Sequence, residues 1–600
     1  MKILKIISLL TFILILLSAQ KTWAKDLESI CGPYYLKDSH FLESTPFSSN
    51  DKKVICGSDT PGWEKVPLNQ ALHQIGVILE NDGYYNWKHY QEGNKIIIDK
   101  GSLVKISKIE YVNAPDNFFD VTYIGVIGKY LDSSILDEVK SWTIQRMQAI
   151  GYPCPQATVK ASFKTQKVIV TIERGPYSYI KKIDRENLEK LNSQALSRYD
   201  VIQEGDQYNR DFLNLTLRRM YADRIVSYAY FETKCENETK TAQQIEKEAI
   251  KSFRNQEATP TELKQNIILD KPNSVIFAVG ASSEELPLFK ARYQRSRLDD
   301  NASTLSSELY LSSVIQSLAT DVRLYLFDDF PRFYLNPNFE IKRQNEIAYE
   351  SLFQKYQMAM VHSYDSSNFQ INTKFAPTYN FEKNFESEER DNIQYLSFDT
   401  SLSLTDHYYE YYRLSPRTGY QLNLNWSSQK KGVGSDFSGN QYKISGKVLS
   451  NIGFFDPPIL VLGARFEIAT VDVESLDFTP QRMRLYLGGN QDMRGFARKS
   501  INNYNKGFLT TAYMGFESRF VSLLPYKLQP YLLFDMAKVG QRSFSLSQAL
   551  LYSPGIGLRW ESPIGNFRTS LAKGYIKDKD SSITNEQEEL TLFFSYGQEF

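Results

Sequence analysis

From Asn273 to the end of the chain, apolar and polar residues alternate one by one in short runs broken by turn residues. Such alternation turns one face of an extended segment toward an apolar environment and the other toward a polar one. Val275–Gly280, Leu305–Leu311, Asp321–Phe327 and Gln441–Leu449 are runs of this kind. At about 20 residues per strand with its share of turn, roughly 330 residues make about 16 antiparallel strands. So many strands in one sheet leave exposed edges unless the sheet closes on itself. Residues 273–600 are therefore predicted to form an all-β transmembrane barrel. The final run carries the same signature: Leu590, Leu592, Phe594, Tyr596 and Phe600 fall on one face, with Thr591, Ser595, Gly597 and Glu599 on the other.

Before Asn273 the text changes to mixed helix and strand. Leu68, Leu72, Ile75 and Leu79 have helical spacing, Gly83-Tyr84 follows, and strands Lys95–Asp99 and Val104–Val112 come next. About 70 residues later the order recurs as helix Ser134–Ile150, Gly151-Tyr152, strands Ala157–Phe163 and Lys167–Glu173, then strand Tyr177–Ile183. A looser third copy has helix Arg210–Tyr221 and strand Tyr228–Glu232, interrupted by a Lys/Glu-rich stretch, Asn237–Gln265, expected to be a helix or solvated loop. A fixed period of this size marks tandem modules, here of βααββ type, with boundaries at 25–102, 103–176 and 177–272. Residues 1–24 fit a secretory signal peptide: Lys2 and Lys5, an apolar run Ile6–Leu17 too short to span a bilayer, and a cleavage site after Ala24.

Four cysteines, Cys31, Cys56, Cys154 and Cys235, form an even set in an exported chain. Disulfides are the simplest reading, with Cys31–Cys56 and Cys154–Cys235 one of three possible pairings. Lys plus Arg balances Asp plus Glu at 70 each, which gives nucleic acid no electrostatic footprint. No metal-ligand spacing, phosphate-binding loop or nucleophile elbow is present, so neither cofactor, metal nor enzyme chemistry is expected.

One stretch stands out within the barrel. Gly488-Gly489 opens a polar turn that presents Arg494 beside Gly495-Phe496. In Thr511–Phe520, Met514, Phe516 and Phe520 make the apolar face, which turns Glu517 and Arg519 inward; in Gln529–Val539, Leu532, Phe534 and Met536 face out, which turns Asp535 inward. A loop folded into the lumen would bring Arg494 to either carboxylate. The plain alternative is that Glu517 and Asp535 merely line a wet lumen.

The run from Gly488-Gly489 to Met493-Arg494-Gly495-Phe496 resembles the Gly-Gly…Val-Arg-Gly-Phe/Tyr signature of the BamA/TamA superfamily of outer-membrane assembly proteins. Gly-Phe-Glu517-Ser-Arg-Phe, Leu-Phe-Asp535-Met, Ser553–Trp560 with Ser562-Pro563-Ile564-Gly565, and the aromatic terminus at Phe600 are similar to that superfamily too. The resemblance implies that the N-terminal repeats are periplasmic POTRA modules and that the sixth loop folds inward to meet acidic strand residues. It also implies a barrel that can open between its first and last strands, near Val275, Phe277, Phe594, Tyr596 and Phe600. Three modules are closer to TamA than to the five of BamA. The implied partners are outer-membrane lipids, nascent outer-membrane or autotransporter-type clients and a TamB-like inner-membrane-anchored protein. The rival functions are a two-partner secretion transporter of one dedicated substrate and a passive porin or structural barrel.

Overall fold

In the computed structural model, the described residues are 24–596 apart from 41–46, 63, 119–122, 187–190, 193, 234, 236–257, 386–391, 454, 475, 477–478, 503–505, 563–564, 579–582 and 584–589. Residues 1–23, which hold most of the expected signal peptide, most of the Lys/Glu-rich stretch, Pro563-Ile564 and the terminal residues through Phe600 thus lie outside them. The chain divides into two compact units, one holding most of the first two modules and the other the third module with the barrel.

The repeat inferred from the helices is visible in strand pairing. In the first module Tyr34–His40 runs parallel to Lys95–Asp99, which pairs antiparallel with Lys88–Glu92. In the second, Lys108–Val112 is parallel to Lys167–Glu173, itself antiparallel to Gln156–Ser162. In the third, Ser178–Arg185 is parallel to Thr259–Leu269, itself antiparallel to Val226–Thr233. Two helices, Ser49–Cys56 and Leu68–Asn81, cover the first sheet through Ile55, Ala71, Ile75 and Leu79, all buried. Cys31 is joined to Cys56 and Cys154 to Cys235.

Three sequence expectations change here. Thr259–Gln265, placed in a helix or loop, belongs to the strand Thr259–Leu269 that completes the third sheet. Leu263, Gln265 and Ile267 alternate inward along it, a period the dense Lys and Glu upstream obscured. The strand expected from Val104 begins only at Lys108. Asp321–Phe327 is the tail of strand Ile315–Arg323 followed by a departure from the sheet. Tyr325 leaves because its ring lies 3.6 Å from the Arg198 guanidinium of the third module.

The C-terminal region is a closed barrel of sixteen antiparallel strands from Asn273–Ser282 to Leu590–Tyr596; the fifteenth is interrupted at Gly574 between Gly565–Lys573 and Tyr575–Lys577. Alternation sorts the faces as expected for a barrel in lipid. Met514, Phe516, Leu532, Leu590 and Leu592 are exposed outward, while Glu517, Arg519, Asp535, Phe593 and Ser595 are buried inside. Among the described residues no helix is long and apolar enough to cross a membrane.

Candidate functional site: an arginine loop folded into the barrel

The loop between strands Leu460–Val473 and Thr510–Phe520 turns back into the lumen instead of projecting from the rim. Its stem is held by bridges Leu485–Phe508 and Leu487–Ile501. Gly488 and Gly489 then take φ of 108° and 122°, values that L side chains rarely adopt. Asp492 fastens the bend by accepting from the backbone N–H groups of Gly488, at 2.8 Å, and Met493. Met493 and Phe496 are buried with Leu487, Ile501, Phe508, Val539 and Leu551, an apolar cluster that seats the loop against the wall.

At the tip Arg494 is fully buried and its guanidinium is held between two carboxylates. Nε and Nη2 donate to the two oxygens of Asp535 at 2.8 Å each, and Nη1 donates to Glu517 Oε2 at 2.8 Å. The Arg494 backbone N–H adds a bond to Asp535 Oδ2 at 3.1 Å. The fork-on-carboxylate arrangement fixes orientation as well as distance. Strand parity thus placed both acidic residues correctly, and the structure brings each of them to Arg494.

Of the supporting shell, the sequence had turned only Arg519 inward. Tyr513 donates to Asp535 Oδ1 at 3.0 Å and accepts from Arg465 Nε at 2.7 Å. Arg568 donates to Glu517 Oε2 at 3.0 Å, and Arg519 Nε lies 3.5 Å from Glu517 Oε1. Two buried carboxylates are therefore shared among four arginines. Parity would have marked Arg465 and Arg568 as inward, but nothing in their local text distinguishes them from other lumen residues. Gly495 lies so close to the wall that an added β-carbon would sit 2.4 Å from the Gly574 nitrogen and 2.6 Å from the Lys573 carbonyl carbon. The break in the fifteenth strand is where the loop tip presses on it.

On its other flank the loop grips the first half of the barrel. Arg498 donates to both oxygens of Glu346, at 2.9 and 3.0 Å, and to Glu285 at 2.7 Å. Lys499 donates to Tyr349 Oη at 2.6 Å, and the Asn490 N–H donates to Glu284 at 2.9 Å.

Among the described residues, the first and last strands share the rungs Ala281–Tyr596 and Ser282–Ser595, extended by the Ser283 N–H to the Phe594 carbonyl at 2.9 Å. Tyr596 and Phe594 belong to this seam; Val275 and Phe277 lie further along the first strand, paired on its other edge with Tyr293 and Ala291 and strongly exposed, and the last-strand residues beyond Tyr596 lie outside the described ones. Alternation identified their outward face but carried no information on register along the neighbouring strand. Phe600 lies outside the described residues. Among the described residues no cluster of His, Cys, Asp and Glu is arranged to hold a metal.

The model of the Omp85 superfamily domain matches residues 272–600. Solved structures with similarity include BamA from Haemophilus ducreyi lacking POTRA domains 1–3, at 15% identity over 82% of this chain and 99% of that one, with a TM-score of 0.48. CdiB from Acinetobacter baumannii matches at 13% identity over 88% and 97%, TM-score 0.44, and CdiB from Escherichia coli at 12% over 88% and 96%, TM-score 0.46. No curated protein matches the sequence significantly. With the domain match spanning more than half of its length, the chain belongs to the Omp85 superfamily, the BamA/TamA-type barrels of the outer membrane that assemble or transport proteins.

Proposed function

We propose that the protein captures extended clients on its POTRA modules in the periplasm and inserts or exports them through a barrel that opens along the seam between its first and last strands. The observation that carries this reading is the seam itself, where the described residues of the first and last strands share two paired rungs. Each backbone group left unpaired in hydrocarbon costs several kcal/mol. When the seam opens, a client strand added to the edge of the first strand, Asn273–Ser282, satisfies such groups on both chains, which lowers the cost of its own insertion. Client folding then supplies the free energy. The edge strand Val226–Thr233 of the third module, with Tyr228 and Tyr230 exposed and their rings 5.6 Å apart, suits capture by strand addition. Arg494 acts as the lock that holds the loop inside the lumen while the seam works.

A disulfide across the seam tests the proposal. Ser282 and Ser595 are directly paired, and paired Cα atoms at roughly 4.5–5.5 Å lie within disulfide reach. The oxidised Ser282→Cys/Ser595→Cys protein should lose client assembly, and reduction should restore it relative to reduced wild type. Full activity in the locked form would exclude lateral opening and favour threading through the lumen, as in a two-partner secretion transporter. Crosslinking from the Val226–Thr233 edge in living cells would identify the client and any TamB-like partner.

A further inference from the structure

The turn between the eighth and ninth barrel strands begins with a short helix, His407–Tyr411, capped by Asp406 accepting from the Tyr409 N–H at 3.0 Å. The third module rests on this helix. Its own helix Arg210–Ala222, capped by Asn209, presents Arg219, which donates from Nε and Nη2 to the two oxygens of Glu410 at 2.9 and 2.6 Å and from Nη1 to Asp365 at 2.9 Å. Phe212 packs its ring on His407 and Tyr408, at 5.3 and 5.2 Å between centroids.

The downstream half of the same turn enters the barrel mouth. The Leu414 carbonyl accepts from Arg559 Nη2 at 3.0 Å, and the Pro416 carbonyl accepts from Arg519 Nη2 at 2.5 Å. Arg519 is also the arginine 3.5 Å from Glu517 Oε1, and Glu517 grips Arg494 with its other oxygen. Polar contacts thus run from Arg219 in the third module to Glu410, and, across the covalent turn 410–416, from Pro416 through Arg519 and Glu517 to the loop arginine. Its inner members, Arg519, Glu517 and Arg494, are all buried.

We propose that residues 407–418 are a relay by which seating of the third module keeps the Arg494 loop docked. The direction follows from competition for one carboxylate. While the turn is seated, the Pro416 carbonyl occupies Arg519 and holds it at long range from Glu517. If the module lifts and the turn withdraws, Arg519 loses one of its acceptors in a buried site, and the carboxylate of Glu517 is 3.5 Å away. It then turns fully to Glu517, which already serves Arg494 and Arg568, and displaces Arg494. Module undocking and loop release are therefore linked, and linkage of this kind is reciprocal.

The proposal rests on the reading of Arg494 as a lock, and the experiment separates the two. Ser500, whose hydroxyl is buried in the docked loop, is replaced by cysteine in the full-length membrane protein. All four native cysteines are in disulfides, so a water-soluble maleimide reports only loop release. Glu410→Gln, which removes the charge seated by Arg219, should raise the labelling rate at least about fivefold, the lower end of typical inter-site couplings. Arg519→Lys, too short to span Pro416 and Glu517 together, should do the same while the far-UV β signal stays that of wild type. Adding Glu410→Gln to Arg494→Ala should change nothing further, because the relay acts through that arginine. A wild-type rate in Glu410→Gln with a raised rate in Arg494→Ala would overturn the relay alone. A wild-type rate in Arg494→Ala would overturn the lock and the relay with it.

Discussion

Replacing Arg494 with alanine removes three charge-assisted hydrogen bonds of 2.8 Å from a fully buried site. Breaking a buried ion pair commonly costs 3–5 kcal/mol because one charge is left uncompensated. That full penalty does not apply here. Asp535 keeps Tyr513 and the nearby Arg465, and Glu517 keeps Arg568 and Arg519. What is lost is the docking of the loop: three bonds of about 1.5–3 kcal/mol each in isolation, partly replaced by water and by those arginines. A net of about 3 kcal/mol against the docked loop is expected, roughly a hundredfold in the docked-to-released ratio. The barrel wall should stay formed, because its own pairs survive. Maleimide labelling at Ser500→Cys reads this ratio directly, and Arg494→Lys, a point charge without the fork, should fall between alanine and wild type. A labelling rate within threefold of the parent for Arg494→Ala, with the loop core intact, would refute the view that the ion pair holds the loop.

Two further predictions use other features. Gly495→Ala drives a β-carbon against backbone atoms of Lys573 and Gly574, so it should release the loop as strongly as Arg494→Ala although every charged partner remains; a wild-type labelling rate would show that the tip is not pressed on the wall. Burial holds the His407 imidazole below its ordinary value of 6.5, which means the undocked state takes up a proton more readily than the docked one. Seating of the third module should be complete at neutral pH and weaken as pH falls below about 6.5. Hydrogen exchange of helix Arg210–Ala222, corrected for the intrinsic pH dependence, should show this, and His407→Gln should flatten it; tighter protection on acidification would reverse the argument.

The parts of this structure that alternation can encode were legible. Face assignment needs only local text, which is why Glu517 and Asp535 were found from Met514, Phe516, Leu532 and Phe534. Edges and registers are set by partners hundreds of residues away. Nothing near Ser282 says that it pairs with Ser595, or that Gly574 is where Gly495 lands. The relay turn was missed for a related reason. His-Tyr-Tyr-Glu-Tyr-Tyr resembles the aromatic strand text around it, and its identity as a helix comes from the Asp406 cap and from packing on Phe212. In the modules, helix spacing and Gly-Tyr ends revealed the repeat, while the third strand of the last copy lay behind a charged run that masked its period.

The docked loop also sets the electric field inside the barrel. Segment Asp492–Lys499 carries Arg494, Arg498 and Lys499 against a single acidic residue. It lies among Glu284, Glu285, Glu346, Glu517 and Asp535, with Arg465, Arg519 and Arg568 on the wall. Docked, these formal charges cancel. Once the loop leaves, the five carboxylates outnumber the three remaining arginines, and a low-dielectric passage amplifies such an imbalance. Loop release therefore carries net positive charge out of the lumen, and single-channel reversal potentials in a salt gradient should shift toward cations as the loop leaves.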